Sequence, residues 1–217
     1  MPEFNRAVLF INGECKDLNH LELEEHDFLV AVDGGMQYLN RLALTPHLII
    51  GDMDSIDPLD LQSMLAEGVQ IERFPPQKDQ TDLELAIDLV LQKGFKHILL
   101  IAALGGRLDQ SLANLFLLTR DDLKDINVCM QDGQESVFLV HREAHIHTLP
   151  GDRLSFLPLC TPVTGISTKG LRYPLNNETL FPQKTRGISN EALSNKVSIN
   201  IKSGLLLCIH THIGSES

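Results

Sequence analysis

The sequence predicts an α/β fold, with an N-terminal doubly wound parallel-sheet domain followed by a small C-terminal antiparallel β-sandwich. Two observations predict it. Short apolar runs alternate with helical patterns over the first 130 residues, which is typical of a parallel sheet covered on both faces. After about residue 133, prolines and glycines recur between short runs with β-branched residues, which favours a sandwich. We therefore predict domains at residues 1–133 and 134–217.

The elements of the first domain follow from its apolar runs and periodicity. Its strands are predicted at Ala7–Ile11, Phe28–Val32, Leu48–Ile50, Val69–Phe74, His97–Leu104 and Ile126–Met130. Its helices are predicted at Met36–Leu42, Leu59–Glu67, Leu83–Gln92 and Leu108–Thr119. The third helix has the strongest signals, because Thr81 and Glu84 form a capping-box sequence and Gly94 is suited to end the helix.

The second domain is predicted to begin near Asp132-Gly133 and to consist of strands. Its strands are predicted at Val137–Val140, Leu154–Leu157, Val197–Ile201 and Leu205–Ile209. This domain also carries two pairs of histidines, His145-x-His147 and His210-x-His212. Each pair lies on one face of a strand, but neither has a nearby third ligand in the sequence, so we interpret them as exposed strand residues.

The charge distribution excludes an ordinary nucleic-acid binder. Residues 1–135 carry 10 basic and 24 acidic side chains, a net charge of −14, whereas residues 136–217 carry 8 basic and 5 acidic ones, a net charge of +3. No basic patch is visible, and an acidic domain is suited to hold divalent cations or a cationic substrate.

The sequence also favours a cytoplasmic protein. The four cysteines lie far apart without a CxxC pair, which predicts free thiols in a reducing compartment. The longest apolar run, Ile98–Leu104, is too short to cross a bilayer, so we expect no membrane association. The N-terminus has no basic segment followed by an apolar core, and we expect no secretion signal.

Aspartates follow four of the predicted strands of the first domain. They belong to the segments Asp33-Gly34-Gly35, Gly51-Asp52-Met53-Asp54, Lys78-Asp79-Gln80-Thr81-Asp82 and Gly105-Gly106-Arg107-Leu108-Asp109. Because the carboxyl ends of parallel strands share one edge, these residues are expected to converge there. A single aspartate of this kind is more often a helix cap, but gathering several requires a compensating cation. Magnesium bridging carboxylates to substrate phosphates is the natural choice.

Glycines and cations at the same strand ends are suited to an anionic substrate. Gly34-Gly35 and Gly105-Gly106 precede helices and can expose backbone N–H groups. Arg107 and Lys78 can neutralise phosphate. No GxxxxGK[ST] loop is present, which excludes a P-loop kinase.

Together these motifs resemble those of the thiamine pyrophosphokinase (thiamine diphosphokinase) family. The matching segments, in the order of that family, are DGGMQYL (33–39), GDMDSI (51–56), KDQTDLELA (78–86), GGRLDQ (105–110), TKGLRYPL (168–175) and GISN (187–190). Two departures stand out: Gln110 occupies a position where many members have histidine, and the chain contains no tryptophan.

The resemblance implies an ATP:thiamine diphosphotransferase, in which the thiamine hydroxyl attacks the β-phosphorus of ATP and AMP leaves. It implies that Mg²⁺ is the cofactor and that residues 1–133 bind ATP and magnesium. Residues 134–217 are implied to bind thiamine and to form a homodimer with active sites at the interface.

The resemblance also assigns individual residues. The implied catalytic residues and magnesium ligands are Asp52, Asp54 and Asp82. The residues implied to line the ATP site are Asp33, Lys78, Asp79, Thr81, Arg107 and Asp109. The residues implied to meet thiamine are Asp82, Tyr173, Ser189 and Asn190, and the last two are expected to come from the partner subunit.

Two alternatives belong to other functional classes. An aspartate-based phosphatase would use Asp52-Met53-Asp54 as nucleophile and metal ligand, but that motif follows the third predicted strand and the Gly-Arg-Asp loop has no place there. A non-catalytic nucleotide sensor would be expected to have lost carboxylates, whereas the aspartate set is intact.

Overall fold

The structure is a computed structural model that describes residues 4–15, 17–53, 58–74 and 79–213. The chain divides into two compact units, residues 1–133 and 134–217. All four cysteines are free, as the sequence predicted. Among the described residues, no helix is both long and apolar enough to cross a membrane.

The first unit is built on parallel strands. Its strands are β1 (Arg6–Phe10), β2 (Asp27–Val32), β3 (Leu48–Gly51), β4 (Gln70–Arg73), β5 (His97–Ile101) and β6 (Asn127–Asp132). Its helices are α1 (Met36–Arg41), α2 (Pro58–Ala66), α3 (Asp82–Gln92) and α4 (Leu108–Leu117), with short 3₁₀ helices at Asp33–Gly35 and Asp121–Leu123. The described strands run in the order β4-β3-β2-β1-β5-β6 and pair in parallel. The predicted doubly wound sheet is therefore confirmed.

Burial explains why β2 and β3 form inner strands of the sheet. Strands β2 and β3 are buried along their whole length, as expected for strands covered on both faces. Strand β5 ends at Ile101 rather than at the predicted Leu104, because Ala102 adopts a left-handed conformation with φ 58°. The apolar run continues past the strand, but the backbone has already turned.

Helix α3 shows how local sequence positions one of the strand-end segments. Its buried stripe consists of Leu83, Ala86, Ile87 and Val90. Thr81 Oγ1 accepts a hydrogen bond from Glu84 N at 3.2 Å, which is one half of the predicted capping box. The other half differs from the prediction, since Glu84 Oε1 accepts from Gln80 Nε2 at 3.2 Å.

The second unit is an antiparallel sandwich, which confirms the other half of the predicted fold class. Its strands are β7 (Glu135–Val140), β8 (Glu143–His147), β9 (Arg153–Lys169), β10 (Glu178–Leu180), β11 (Asn190–Glu191), β12 (Lys196–Asn200) and β13 (Ser203–Thr211). One layer contains β7, β13, β11 and the first half of β9, and the other contains β8, β12, β10 and the second half of β9.

Strand β9 is longer than the sequence predicted. The prediction ended it at Leu157, because Pro158 and Pro162 follow. The strand instead continues past both prolines: Pro158 lies opposite Leu206, and a register shift allows the chain to change layers. Cys160, with φ 63°, marks this bend.

A partly buried ion pair joins the amino ends of β1 and β2. Arg6 donates from Nε to Asp27 Oδ1 at 2.9 Å and from Nη2 to Asp27 Oδ2 at 2.7 Å. Glu24 N donates to the same Oδ2 at 2.8 Å. Asp27 is buried, and its hydrogen bond raises the pKa of Arg6 against the opposing effect of burial.

Replacing Asp27 by alanine is expected to destabilise the protein. The Arg6 guanidinium and Glu24 N–H would lose their partner, and because Arg6 is partly exposed the expected loss is about 2–4 kcal/mol of unfolding free energy. Urea denaturation measures this loss. The matched control Asp125→Ala, at an exposed position, is expected to change stability by less than about 0.5 kcal/mol. A similarly small effect of Asp27→Ala would contradict the prediction.

Candidate active site

The candidate site lies at the carboxyl edge of the parallel sheet. Strands β3, β2, β1 and β5 are consecutive in the sheet, so the segments that follow them emerge side by side. Asp52 follows β3, Asp33 follows β2, Asn12 lies just beyond β1, and residues 102–109 follow β5. This is the edge at which open parallel sheets bind ligands.

The backbone at this edge adopts conformations that non-glycine residues rarely accept. Asp33, Met53 and Ala102 have φ values of 50°, 65° and 58°. They follow three different strands, and each lies within two residues of a strand end. Strained residues of this kind are concentrated at functional sites, which supports this edge as the site.

A cavity of about 260 Å³ opens at this edge. It brings together three of the predicted site residues, Asp33, Thr81 and Asp82. Its other polar lining residues are Asn12, Gln110 and Asn114. The cavity therefore presents carboxylate, hydroxyl and amide oxygens, which are ligands and hydrogen-bond acceptors suited to a hard cation and a polar substrate.

Two lining amides were not predicted from the sequence. Asn12 Nδ2 donates to Asp33 Oδ2 at 3.2 Å, and Asn12 Oδ1 accepts from Gln37 Nε2 at 3.2 Å. Asn114 Nδ2 donates to Ala103 O at 2.7 Å, which ties α4 to the loop after β5. The signals available were the Asn12-Gly13 pair directly after a strand and the position of Asn114 one turn after Gln110.

Two glycines permit the close packing of these loops. A Cβ at Gly35 would lie 1.8 Å from Phe10 O, so only glycine fits between the end of β1 and the start of α1. Gly105 has φ 86°, and a Cβ there would lie 2.6 Å from Glu14 O. A side chain at either position would push the strand-end loops apart.

The Arg107 and Asp109 side chains form an exposed bidentate pair. Arg107 Nε donates to Asp109 Oδ1 at 3.1 Å, and Nη2 donates to Oδ2 at 2.5 Å. The hydrogen bonds raise the pKa of Arg107 and lower the pKa of Asp109. Both side chains are about two-thirds exposed, at 69% and 65%, so solvent screens the pair.

The remaining predicted residues of this unit are placed as follows. Asp52 and Asp79 are exposed, and Asp82 is the first residue of α3. Asp54 and Lys78 lie outside the described residues. The structure therefore assembles Asp33, Thr81 and Asp82 in one cavity, with Asp52 and Asp79 in the segments that follow β3 and precede α3.

The predicted thiamine residues lie in the second unit, where Asn190 holds the segment of Tyr173. Asn190 is buried; its Oδ1 accepts from Tyr173 N at 3.1 Å and from Glu191 N at 3.0 Å, and its Nδ2 donates to Tyr173 O at 2.7 Å. Tyr173 is 67% exposed. Ser189 is exposed, has φ 56°, and donates from its backbone N to Ser155 Oγ at 3.0 Å.

A larger cavity of about 1130 Å³ lies elsewhere in the first unit, near the amino ends of the strands. It is lined by aromatic residues that include Phe4, Phe28, His47 and Phe95, with Lys93 over the Phe28 ring. Glu67 is the single carboxylate in its described lining. It therefore lacks the convergent acidic groups of the smaller cavity, which we regard as the site.

Comparison with known proteins identifies the two units. The family described as "Thiamin pyrophosphokinase, catalytic domain" matches residues 19–130, and "Thiamin pyrophosphokinase, vitamin B1 binding domain" matches residues 140–206. The thiamine pyrophosphokinase of Bacillus subtilis (strain 168) is 29% identical over 190 residues, which cover 87% of this chain and 89% of the relative.

Solved structures agree with the sequence matches. The crystal structure of thiamine pyrophosphokinase from Bacillus subtilis has a TM-score of 0.84 at 27% identity and covers 95% of this chain and 99% of its own. A thiamin pyrophosphokinase family protein from Enterococcus faecalis has a TM-score of 0.83 at 26% identity, with 95% and 98% covered. This chain belongs to the thiamin pyrophosphokinase family.

Proposed function

We propose that the protein is a thiamine diphosphokinase, which transfers pyrophosphate from ATP to the hydroxyl of thiamine and releases AMP. The observation that carries the proposal is the cavity at the carboxyl edge of the sheet, where Asp33, Thr81 and Asp82 meet in a chain that matches both family domains. Transfer of this kind depends on positioning and charge neutralisation rather than on covalent catalysis.

The donor set at this edge fits magnesium. The side chains available are carboxylates and amides, which offer oxygen, and neither a histidine nor a cysteine lies among the described cavity residues. We assign Asp52, Asp54 and Asp82 as the residues that would hold the ion. When bound, magnesium would neutralise polyphosphate charge and the mutual repulsion of these carboxylates.

Asp82 is placed for a second task. It is the first residue of α3, and it lines the cavity together with Thr81, which caps the helix. The cap fixes the backbone from which the Asp82 side chain extends. We propose that its carboxylate accepts a hydrogen bond from the thiamine hydroxyl and orients the oxygen for attack, in addition to its role as a metal ligand.

We propose that six residues bind ATP. They are Asp33 and Thr81, which line the cavity, the exposed residues Asp79, Arg107 and Asp109, and Lys78. Arg107 now pairs with Asp109, but an exposed pair costs little to exchange. We propose that ATP recruits the Arg107 guanidinium to phosphate, where its planar fork can bind two oxygens.

Thiamine is proposed to meet the second unit through Tyr173, Ser189 and Asn190. The described hydrogen bonds of Asn190 all go to main-chain atoms, so we propose that it acts by fixing the segment that presents Tyr173. We further propose that the protein is a cytoplasmic homodimer, and that Tyr173 and Ser189 of one subunit complete the site of the other.

The identity of the products tests the reaction. With ATP, Mg²⁺ and thiamine, attack at the β-phosphorus is expected to yield AMP and thiamine diphosphate in equal amounts, measured by mass spectrometry. Formation of ADP with thiamine monophosphate would make the protein a simple kinase and would refute the proposal.

Changing Asp52 to asparagine tests the metal site. The substitution keeps the shape but removes a charged oxygen ligand, and the expected loss of turnover is about 10²–10³-fold. Initial rates are measured across a magnesium titration, with the exposed Asp125→Asn as the matched control, which is expected to retain wild-type rates. Unchanged turnover of Asp52→Asn at saturating magnesium would contradict the assignment.

Mixing two defective proteins tests the shared site. Asp82→Asn impairs the acidic cavity, and Tyr173→Ala removes an exposed ring from the segment proposed to reach the partner. Random subunit exchange makes about half of the dimers mixed, each with one intact site, so the mixture is expected to approach about a quarter of wild-type activity.

Exchange is monitored with differently tagged chains, and the mixture is compared with the sum of the two variants measured separately. If exchange is confirmed and the activity of the mixture does not exceed that sum, the shared site is contradicted. Each chain would then use its own Tyr173, or the reaction would not use Tyr173.

A further inference from the structure

A second group of metal-ligating side chains lies in the β-sandwich, among residues for which the proposed reaction has no use. It consists of Asp152, His210 and His212, and we call it the Asp-His-His cluster. The sequence supplied only the two histidines of the His-x-His pair. The fold supplies the third ligand, because Asp152 lies in the turn just before β9, the strand that pairs with β13.

The ligand atoms are spaced as a metal site requires. Asp152 Oδ2 lies 2.9 Å from His210 Nε2 and 3.7 Å from His212 Nδ1, and all three atoms lie within 4.8 Å of one another. Tetrahedral zinc, with bonds near 2.0–2.1 Å, separates neighbouring ligand atoms by about 3.3 Å. The two distances from Asp152 bracket that value, so small rotations of the histidine rings would bring the ligand atoms to tetrahedral spacing.

The carboxylate is held in place by groups outside the cluster. Leu149 N donates to Asp152 Oδ2 at 2.9 Å, and Ile213 N donates to Oδ1 at 3.0 Å. Hydrogen bonds of this kind orient the ligands of natural metal sites. Asp152 and His210 are buried, whereas the His212 side chain is 43% exposed. An ion could therefore enter from the His212 side and keep a water molecule as its fourth ligand.

We propose that the Asp-His-His cluster binds a divalent transition-metal ion of the zinc type. Two imidazole nitrogens and one carboxylate oxygen suit zinc or cobalt better than magnesium, which takes oxygen ligands. Binding requires the His210 ring to carry its proton on Nδ1, so that Nε2 exchanges its hydrogen bond to Asp152 for a bond to the metal. The ion would join the end of β13 to the turn at residues 149–152 and stabilise the sandwich.

Cobalt(II) provides a direct test with the whole protein. Metal-stripped protein is titrated with Co²⁺ in excess Mg²⁺, which occupies the oxygen-ligand site of the first unit. Wild type is expected to show the visible absorption of tetrahedral cobalt and to lose it when Zn²⁺ is added. Zinc at about a hundredfold excess over its Kd is expected to raise Tm by about 5–10 °C.

Two single variants separate this site from ordinary surface histidines. His212→Ala removes a half-exposed ligand and is expected to weaken binding by at least about tenfold, with the loss of the cobalt spectrum. His145→Ala is the matched control, since it belongs to the other His-x-His pair, which is exposed on β8, and it is expected to bind as wild type does.

Three outcomes would overturn the proposal. They are the absence of a tetrahedral cobalt spectrum in the wild type, unchanged metal binding by His212→Ala, and equal losses of metal binding in His212→Ala and His145→Ala. The last would mean that exposed histidines bind the ion without the cluster.

Discussion

Parallel pairing of β3, β2, β1 and β5 is the constraint on which the candidate site depends. It places the carboxyl ends of four neighbouring strands at one edge, so that Asp33, Asn12 and Gly105, which follow β2, β1 and β5, line one cavity. The same arrangement gathers negative charge, because most acidic residues of the chain lie in this unit. Carboxylates brought together in this way repel one another unless a cation is bound. A fold that assembles them therefore favours the binding of a cation.

The backbone conformation near the site costs folding free energy, which the rest of the unit must offset. Left-handed conformations at Asp33, Met53 and Ala102 each cost on the order of 1–3 kcal/mol. The strands β2 and β3 that precede two of them are buried throughout, and the contact of Gly35 with Phe10 O keeps the loops close. The apolar sheet thus holds the site in shape before any ligand arrives. Binding energy from ATP and thiamine is then available for orientation rather than for ordering loops.

Much of this arrangement could be predicted from sequence because it is local. Alternating apolar runs predicted the strands, and aspartates directly after them predicted the edge at which Asp33 and Asp82 lie. What could not be predicted depends on register or loop geometry. Asn12 reaches Asp33 only because β1 and β2 are neighbours, and Asp152 meets His210 across 58 positions of sequence. Strand β9 continues through Pro158, although proline is disfavoured inside a sheet. It does so where the strand changes from one layer of the sandwich to the other.

The proposed site residues of the two units differ in exposure. Arg107 and Asp109 are exposed, so their mutual hydrogen bonds can be exchanged for other partners at little cost. Asn190 is buried, and removing its partners would leave unsatisfied polar atoms, so the Tyr173 segment is fixed whether or not a ligand is present. In the proposed function, the Arg107–Asp109 pair would therefore separate readily when ATP and metal bind. The Tyr173 segment, by contrast, would offer the proposed thiamine site a surface of fixed shape, and recognition of an aromatic cation there would depend on complementarity rather than on rearrangement of the protein.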